Sequence, residues 1–492
     1  MLRQIIDQYQ HCVRLGTVLS HSAKGYTLEM AHAVMSPKLP SPPGPKGNFF
    51  LGSARELARS WPGHSERCAR EYGDIVCYRF LHVPICQLTH PDHIEVVLVK
   101  NAANFHKSRD YAAFKFFLGN GLLTNEGASW QAQRQLIQPA FRHENIAVYA
   151  EIMADSAATH LSRWQDGENR DLHHEMGELA LDIVAKSLFG AKVGHQAQTI
   201  GEEVTVVMER FFTQAALSFL LPDRVPIPKT PRLMRSKKRL DDIVLSIIRE
   251  RRASKTPAND LLQRLLDARD EQGERMSDEQ LREEVMTLFI AGHETTANAL
   301  TWTWYLLSQN PDAEKALGSE LDSVLAGRAP TLVDLPRLPY TEMVIKESMR
   351  LYPPAWGVGR RALGDFEVGG YRIPAGTNVF IMQWVTQRDA RFFPEPERFD
   401  PERWRDDPIR KGRIPRFAYF PFGGGPRVCI GAGFAMMEAT LLLATIAQRY
   451  RFTLAPEAVV TPFFSITLRP KYGLPMQVHQ RAKRGAPERV LG

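Results

Sequence analysis

One stretch of the chain has the residue types and spacing of a reactive centre: Pro421-Phe422-Gly423-Gly424-Gly425-Pro426-Arg427-Val428-Cys429-Ile430-Gly431. Consecutive glycines let the backbone turn tightly and approach a flat ligand where a side chain would collide. Cys429 stands at the mouth of an apolar helical run, Ala432 to Ile446. A helix N-terminus directs N–H groups and partial positive charge outward, which stabilises a thiolate. Arg427, two residues earlier, is expected to add a fixed cation. A thiolate held in this way suits an axial ligand to haem iron, where it pushes electron density toward O–O cleavage. Alone, a cysteine after glycines is more often an inert packed thiol, so other parts of the chain must decide.

A second constellation is Ala291-Gly292-His293-Glu294-Thr295-Thr296, inside a long apolar helix expected over Glu283 to Leu307. Leu288, Ala291 and Thr295 share one face, and the small residues leave room for a flat ligand. A mid-helix Thr can turn its hydroxyl back to a carbonyl. Glu294 is an acid in an apolar segment, costly to bury without a partner. Trp130 and Arg134 lie four apart on an expected helix and so share a face. Such a pair can hold a buried carboxylate, although on most surfaces it is only a cation–π contact. Glu347 and Arg350, three apart on a helix over Tyr340–Leu351, are neighbours that elsewhere make a weak surface ion pair. Pro353-Pro354 ends that helix, and Arg360 and Arg361 follow in a strand with side chains on opposite sides.

The spacing Phe422, Gly425, Arg427, Cys429, Gly431 resembles the haem-binding loop of the cytochrome P450 family. The hexapeptide resembles that family's oxygen-activation motif, Trp130/Arg134 its propionate-holding helix, and Glu347/Arg350 with Arg403 its buried Glu-x-x-Arg network. These signatures fall in the family's order across residues 40–478. The resemblance implies a mainly α fold with small β-sheets, with haem b between the long central helix and the helix after Cys429. It implies Cys429 as metal ligand, with Arg427, Trp130, Arg134, Arg360, Phe422, Gly431 and Ala291 around the cofactor. Thr295 would hydrogen-bond the O2 co-substrate and Glu294 would lie on the proton path. Phe114, Phe117, Trp356, Val358 and Phe464 are expected at a greasy substrate pocket, each equally readable as core. Gln387-Arg388-Asp389 departs from the family's His-Arg-Asp, at a position that does not ligate iron.

The totals agree. The chain has 492 residues, 44% of them apolar, with no linker, repeat or low-complexity tract in its middle, so one large helical domain is expected. Residues 1–39 read as an N-terminal extension, 40–478 as the catalytic domain and 479–492 as a basic tail carrying Arg481, Lys483, Arg484 and Arg489. The stretch Ile5 to Met35 could form an amphipathic helix but is too polar to span a membrane. Pro40, Pro42, Pro43 and Pro45 read as a stiff spacer. Five scattered cysteines, with no C-x-x-C pair, argue for a reducing compartment, and the cytoplasm is expected. Adjacent His173 and His174 read as solvated. Net charge is +7 with no nucleic-acid motif, which favours an anionic membrane surface or an acidic protein partner over nucleic acid. The basic run Arg403, Arg405, Arg410, Lys411, Arg413 and Arg416 marks a docking face beside the Cys429 loop.

Together these readings describe a monomeric haem-thiolate monooxygenase. It inserts one oxygen atom from O2 into a hydrophobic small molecule, by C–H hydroxylation or epoxidation. No flavin or nicotinamide fingerprint is present, so electrons must come from a separate acidic ferredoxin, flavodoxin or flavin reductase. Fatty acids, terpenoids, steroids and polyketides all qualify as substrate, with a lean toward a long-chain lipid. A peroxide-driven peroxygenase, a hydroperoxide isomerase and a non-catalytic haem sensor are the competing classes. The acid–Thr pair counts against each.

Overall fold

The computed structural model describes residues 39–142, 147–190, 196–221, 225, 227–254, 260–269 and 273–481. The expected N-terminal extension through Lys38, and most of the basic tail, lie outside them. The Pro40–Pro45 segment is not a free spacer. Its prolines lack N–H groups, but their carbonyls accept: Pro43 O from Cys77 N at 2.9 Å and Pro40 O from Arg372 N at 3.2 Å.

Strands β1 (Ile75–Phe80) and β2 (Val83–Leu88) form a hairpin, and β3 (Phe105–Lys107) follows. Helix α1 (Tyr111–Leu118) and helix α2 (Gly127–Ile137) come next, then β4 (Asn169–Asp171) and helix α3 (Leu172–Phe189). Helix α4 (Asp278–Gln309) is the expected long helix, begun a turn early. Ser277 and Gln280 cap it reciprocally, which satisfies two of the donors a helix start leaves open. Gly292 lets α3 approach closely, since a Cβ there would sit 2.8 Å from Val184 Cγ2.

Helix α5 (Pro339–Leu351) leads to β5 (Val358–Ala362), β6 (Phe366–Val368), β7 (Tyr371–Ile373) and β8 (Asn378–Ile381). Helix α6 (Ala432–Ala447) is followed by β9 (Tyr450–Leu454), β10 (Pro462–Phe464), β11 (Leu468–Pro470) and β12 (Pro475–Gln480). The main sheet has the order β1-β2-β8-β5-β3, with β2 and β8 parallel and the other pairs antiparallel. β6–β7 is a hairpin across Gly369-Gly370, as its glycines predict. The helices share one apolar core, to which α3, α4 and α6 contribute most of their buried side chains. The fold is mainly α with small sheets, as expected.

Glu347 and Arg350 on α5 are fully buried and form a bidentate pair at 2.9 and 2.8 Å. Arg403 Nε, Trp404 Nε1 and Asp400 N also donate to Glu347, at 3.4, 2.9 and 3.0 Å. Arg350 reaches the carbonyls of Gln387, Pro396 and Arg398. Gln387, where the family pattern has histidine, bonds the Met349 and Arg350 carbonyls and accepts from Phe420 N at 3.2 Å. It therefore ties α5 to the segment leading into the glycine-rich loop.

Candidate functional site

The loop reaches Cys429 through a single turn, Gly425–Arg427. Gly425 has φ +67°, and a Cβ there would overlap the Leu98 carbonyl oxygen, so only glycine lets the loop sit this low. Cys429 N donates to Phe422 O at 2.9 Å and closes the loop. Gly431 caps α6. The Cys429 side chain is set deep in the chain yet has accessible surface, as a group lining an internal hollow does. Burial pushes its thiol above the ordinary value, while the Gly431 N–H and Arg134 pull it down.

The cation beside the sulfur is thus Arg134, not Arg427. Arg134 Nη1 also donates to Val428 O at 2.9 Å and braces the loop from α2. The turn throws Arg427 the other way. It stacks 3.7 Å over the Trp130 ring, bonds Asn125 O at 2.8 Å and pairs with Glu126.

A charged cluster surrounds Arg427. The β3–β5 register sets Lys107 directly opposite Arg360. Arg360 is 7% exposed and Arg361 only half-buried, so alternation in the strand selects Arg360 as the inward group. Lys107 N donates to Glu126 Oε1 at 2.6 Å. Burial, then Arg360 and Arg427, drive the Lys107 ammonium well below its ordinary value. Burial also lowers Arg360, and lowers Arg427 to about 10. Lys107, Arg360 and Arg427 thus form a basic cluster with the carboxyl groups Asp110 and Glu126, in which burial pushes Lys107 down and Asp110 up. Like charges opposite one another in a sheet repel, and buried charge needs compensation. A basic cluster of this kind fits a ligand that brings carboxylates, as haem b does in its propionates. Lys107 and Glu126 escaped the sequence reading. The signal for Lys107 was alternation, which puts it on the inward face with buried Phe105.

On α4 most side chains are buried, but Ala291 is exposed and Thr295 half-exposed. These two lie on one accessible face of the helix, where the small-residue pattern leaves room for a ligand. Thr295 Oγ1 donates to Ala291 O at 2.7 Å, the expected back-bond. Glu294 is 7% exposed. Thr467 Oγ1 donates to its Oε1 at 2.6 Å. Burial raises its carboxyl above the ordinary value; Thr467, Arg469 and Asn298 oppose that. His173 is not solvated as expected, because α3 lies on α4 and its Nε2 is 3.2 Å from Asn298 Oδ1. His174 does point outward, 3.3 Å from Glu178.

A narrow apolar hollow, with a cavity volume of only about 20 Å3, lies next to α4. Its walls are Ala113, Phe114, Phe117 and Leu118 of α1, Val207, Met208, Phe211 and Gln214 of the helix Gln196–Leu220, and Ile290 and Ile466. Phe114 and Phe117, expected at a substrate pocket, thus line this hollow. Trp356, Phe464 and Val358 are not among these walls. Trp356 and Phe464 pack edge-on at 5.5 Å, and the Trp356 indole N–H is taken by Ser465 O at 2.8 Å. Both join an aromatic cluster with Trp61, Phe380 and Trp384, where their rings find neighbours and the indole a partner. Val358 opens β5 and packs against the apolar cluster that includes Ile75, Phe105 and Ile381. A larger surface groove, lined by Pro45, His64 and Tyr72 among others, shares none of the site residues.

A family model described as Cytochrome P450 matches residues 42–475. Cyclooctatin synthase of Streptomyces melanosporofaciens is 39% identical over 421 residues, 85% of this chain and 91% of that protein. Cyclooctat-9-en-7-ol 5-monooxygenase of the same organism is 36% identical, covering 78% of this chain and 84% of that protein. Pentalenene oxygenase of Streptomyces avermitilis is 35% identical, covering 84% and 91%.

Proposed function

The chain belongs to the cytochrome P450 family, and from that premise we propose that it hydroxylates a compact cyclic terpenoid, with Cys429 as the iron ligand and Thr295 and Glu294 as the proton-handling groups. The chain is a haem-thiolate monooxygenase, with haem b as cofactor and O2 as co-substrate. Its substrate is hydrophobic, and its electrons come from a redox partner.

The haem, when bound, supplies oxygen activation at the cost of two electrons and two protons. The chain's own residues do the remaining work. Cys429 provides sulfur, held by the Gly431 N–H and Arg134. Lys107, Arg360 and Arg427 would hold the propionates, with Trp130 beneath Arg427. Thr295 presents a hydroxyl on the accessible face of α4, and its bond to Ala291 O leaves its oxygen free to accept. Burial raises the Glu294 carboxyl, which favours its protonated form and suits it to handing on a proton. The apolar walls exclude water and orient a hydrocarbon skeleton.

One observation carries the reading: Ile290 lines the hollow and is followed directly by Ala291 on the face that bears Thr295. Substrate there sits beside the proton-handling residues. The relatives' names favour a cyclic terpenoid over the long-chain lipid toward which the sequence leaned. The donor is an acidic ferredoxin, flavodoxin or flavin reductase, docking on exposed Arg410, Lys411, Arg413 and Arg416. Arg403 does not belong to that face, since Glu347 holds it half-buried. Residues 40–478 act as one catalytic domain, the chain works as a monomer, and its free thiols suit the cytoplasm. Among the described residues no helix is long and apolar enough to cross a membrane.

The test pairs spectrum with turnover. The reduced protein under carbon monoxide should show the thiolate-type Soret band, and Cys429→Ala or Cys429→His should abolish both band and product. Turnover of pentalenene with NADPH and a surrogate ferredoxin system supports the reading. A histidine-type band, or product formed from hydrogen peroxide with none from NADPH, overturns it.

A further inference from the structure

Glu294 is the end of a chain of side chains. Its Oε1 accepts from Thr467 Oγ1 at 2.6 Å. Thr467 Oγ1 accepts from Asn298 Nδ2 at 3.2 Å, and Asn298 Oδ1 lies 3.2 Å from His173 Nε2. Donor counting sets the direction. An asparagine that gives its amino group to Thr467 has its carbonyl left for His173, so His173 Nε2 must carry the hydrogen. Every donor then points toward Glu294. Asn298 and Thr467 are buried, at 0% and 6% exposure. His173 is half-buried at the start of α3, between exposed Asp171 and His174. The chain therefore runs from the rim of the protein to an acid on the central helix.

We propose that His173, Asn298 and Thr467 form a polarised chain that positions the Glu294 carboxyl and sets how readily it gives up its proton, with Thr467 as the positioning residue in direct contact. This rests on the reading of Glu294 as a proton-handling group. Hydrogen bonds to an ionised carboxyl are stronger than to a neutral one, and successive donors reinforce one another in a low-dielectric interior. The remaining charged neighbours are few. Arg469 on β11 adds positive charge toward Glu294 and His173. His293 on α4 is pushed to about 4 by burial and stays neutral. Asp171 and His174 act on His173 from its rim side, and Glu438 on α6 stands by Thr296. Ile466, the residue before Thr467, is a wall of the apolar hollow. The group that holds the acid thus sits on the segment that substrate touches.

The experiment follows the Glu294 carboxyl directly. Infrared difference spectra of the haem-loaded protein are titrated with pH, and the band that Glu294→Gln removes is assigned to that carboxyl. Thr467→Val keeps the shape and removes the donor. Its midpoint should rise by about one pH unit, the worth of a hydrogen bond to a charged group. Thr467→Ser should restore the parent midpoint, and His173→Phe should shift it upward by less. In parallel, the peroxide released per NADPH oxidised should rise in Thr467→Val, with its pH profile displaced the same way. A Thr467→Val protein with parent-like haem content and an unmoved midpoint overturns the proposal. Should Glu294→Gln leave the peroxide share unchanged, the proton-handling role of Glu294 fails instead, while the midpoints still decide whether the chain governs that carboxyl.

Discussion

Replacing Glu347 by Leu should nearly abolish the folded, haem-loaded protein. Glu347 is fully buried and accepts five N–H groups: two from Arg350, and one each from Arg403, Trp404 and Asp400. Losing the carboxylate leaves the Arg350 guanidinium, itself 0% exposed, without its counter-ion. Removing one partner of a buried pair costs about 3–5 kcal/mol. The orphaned Trp404 and Asp400 N–H groups add about 1–3 kcal/mol each, and less than additively because they share one acceptor. The loss is therefore about 5–10 kcal/mol, comparable to the roughly 5–15 kcal/mol by which a whole domain is stable.

Glu347→Gln keeps an acceptor but no charge and should fall between. The decisive variant is Glu347→Leu with Arg350→Met, which removes both charges and should be less damaging than Glu347→Leu alone. Its residual cost is the loss of donors to the Gln387, Pro396 and Arg398 carbonyls. Urea unfolding followed by circular dichroism, with haem content measured alongside, gives each value. A Glu347→Leu protein unfolding at the parent midpoint, or a double variant as costly as the two single changes summed, would refute this account.

Thr295→Ala should keep substrate binding but divert electrons to peroxide, measured as peroxide per NADPH; parent-level coupling would remove Thr295 from the proton-handling role. Arg360→Leu should lower haem retention during gel filtration several-fold, because it takes the buried guanidinium from the basic cluster; unchanged retention would dissociate the cluster from the propionates. Glu438 on α6 is fully buried beside Thr296, and burial lifts its carboxyl to about 8. The folded chain binds that proton more tightly than the unfolded chain, so stability must fall as pH rises from the ordinary carboxyl value toward 8. Glu438→Gln should therefore stabilise the protein at pH 8.5, by a few kcal/mol to order of magnitude, and do little at pH 4.5. Equal urea midpoints for parent and variant at pH 8.5 would contradict the burial argument.

The parts of the site legible in the sequence are those where residue type and short-range spacing suffice. The Cys429 loop is local, and glycine spacing sets its turn. The Ala291–Thr295 face follows from helical periodicity, and the Thr295 back-bond from the hydroxyl's reach. What escaped depends on side-chain direction or on distant partners. Arg427 is two residues from Cys429, yet the turn sends it to Glu126, while Arg134, almost three hundred residues earlier, faces the sulfur. Lys107 gains meaning only from the β3–β5 register. Trp356 and Phe464 have the apolar bulk of pocket walls, but a buried indole needs an acceptor, and Ser465 supplies it elsewhere. His173 looked solvated because its neighbour is, whereas α3 turns one imidazole inward and the other out.

The two sides of the reactive centre are built from different materials. On the sulfur side, Gln387, Arg134, Gly425 and the Glu347 network fix each position by polar or steric contacts that admit few replacements. The hollow on the other side is walled by Phe, Ile, Val, Met and Leu, which interlock through shape alone; of its lining residues Gln214 is the polar exception. Volume-conserving exchanges among such residues typically cost less than about 1.5 kcal/mol. Descendants of this sequence can thus drift toward new ligands, a few ångströms of wall at a time, while inheriting the oxidising apparatus unaltered. The same asymmetry makes α1 and the helix Gln196–Leu220 the place to begin redesign.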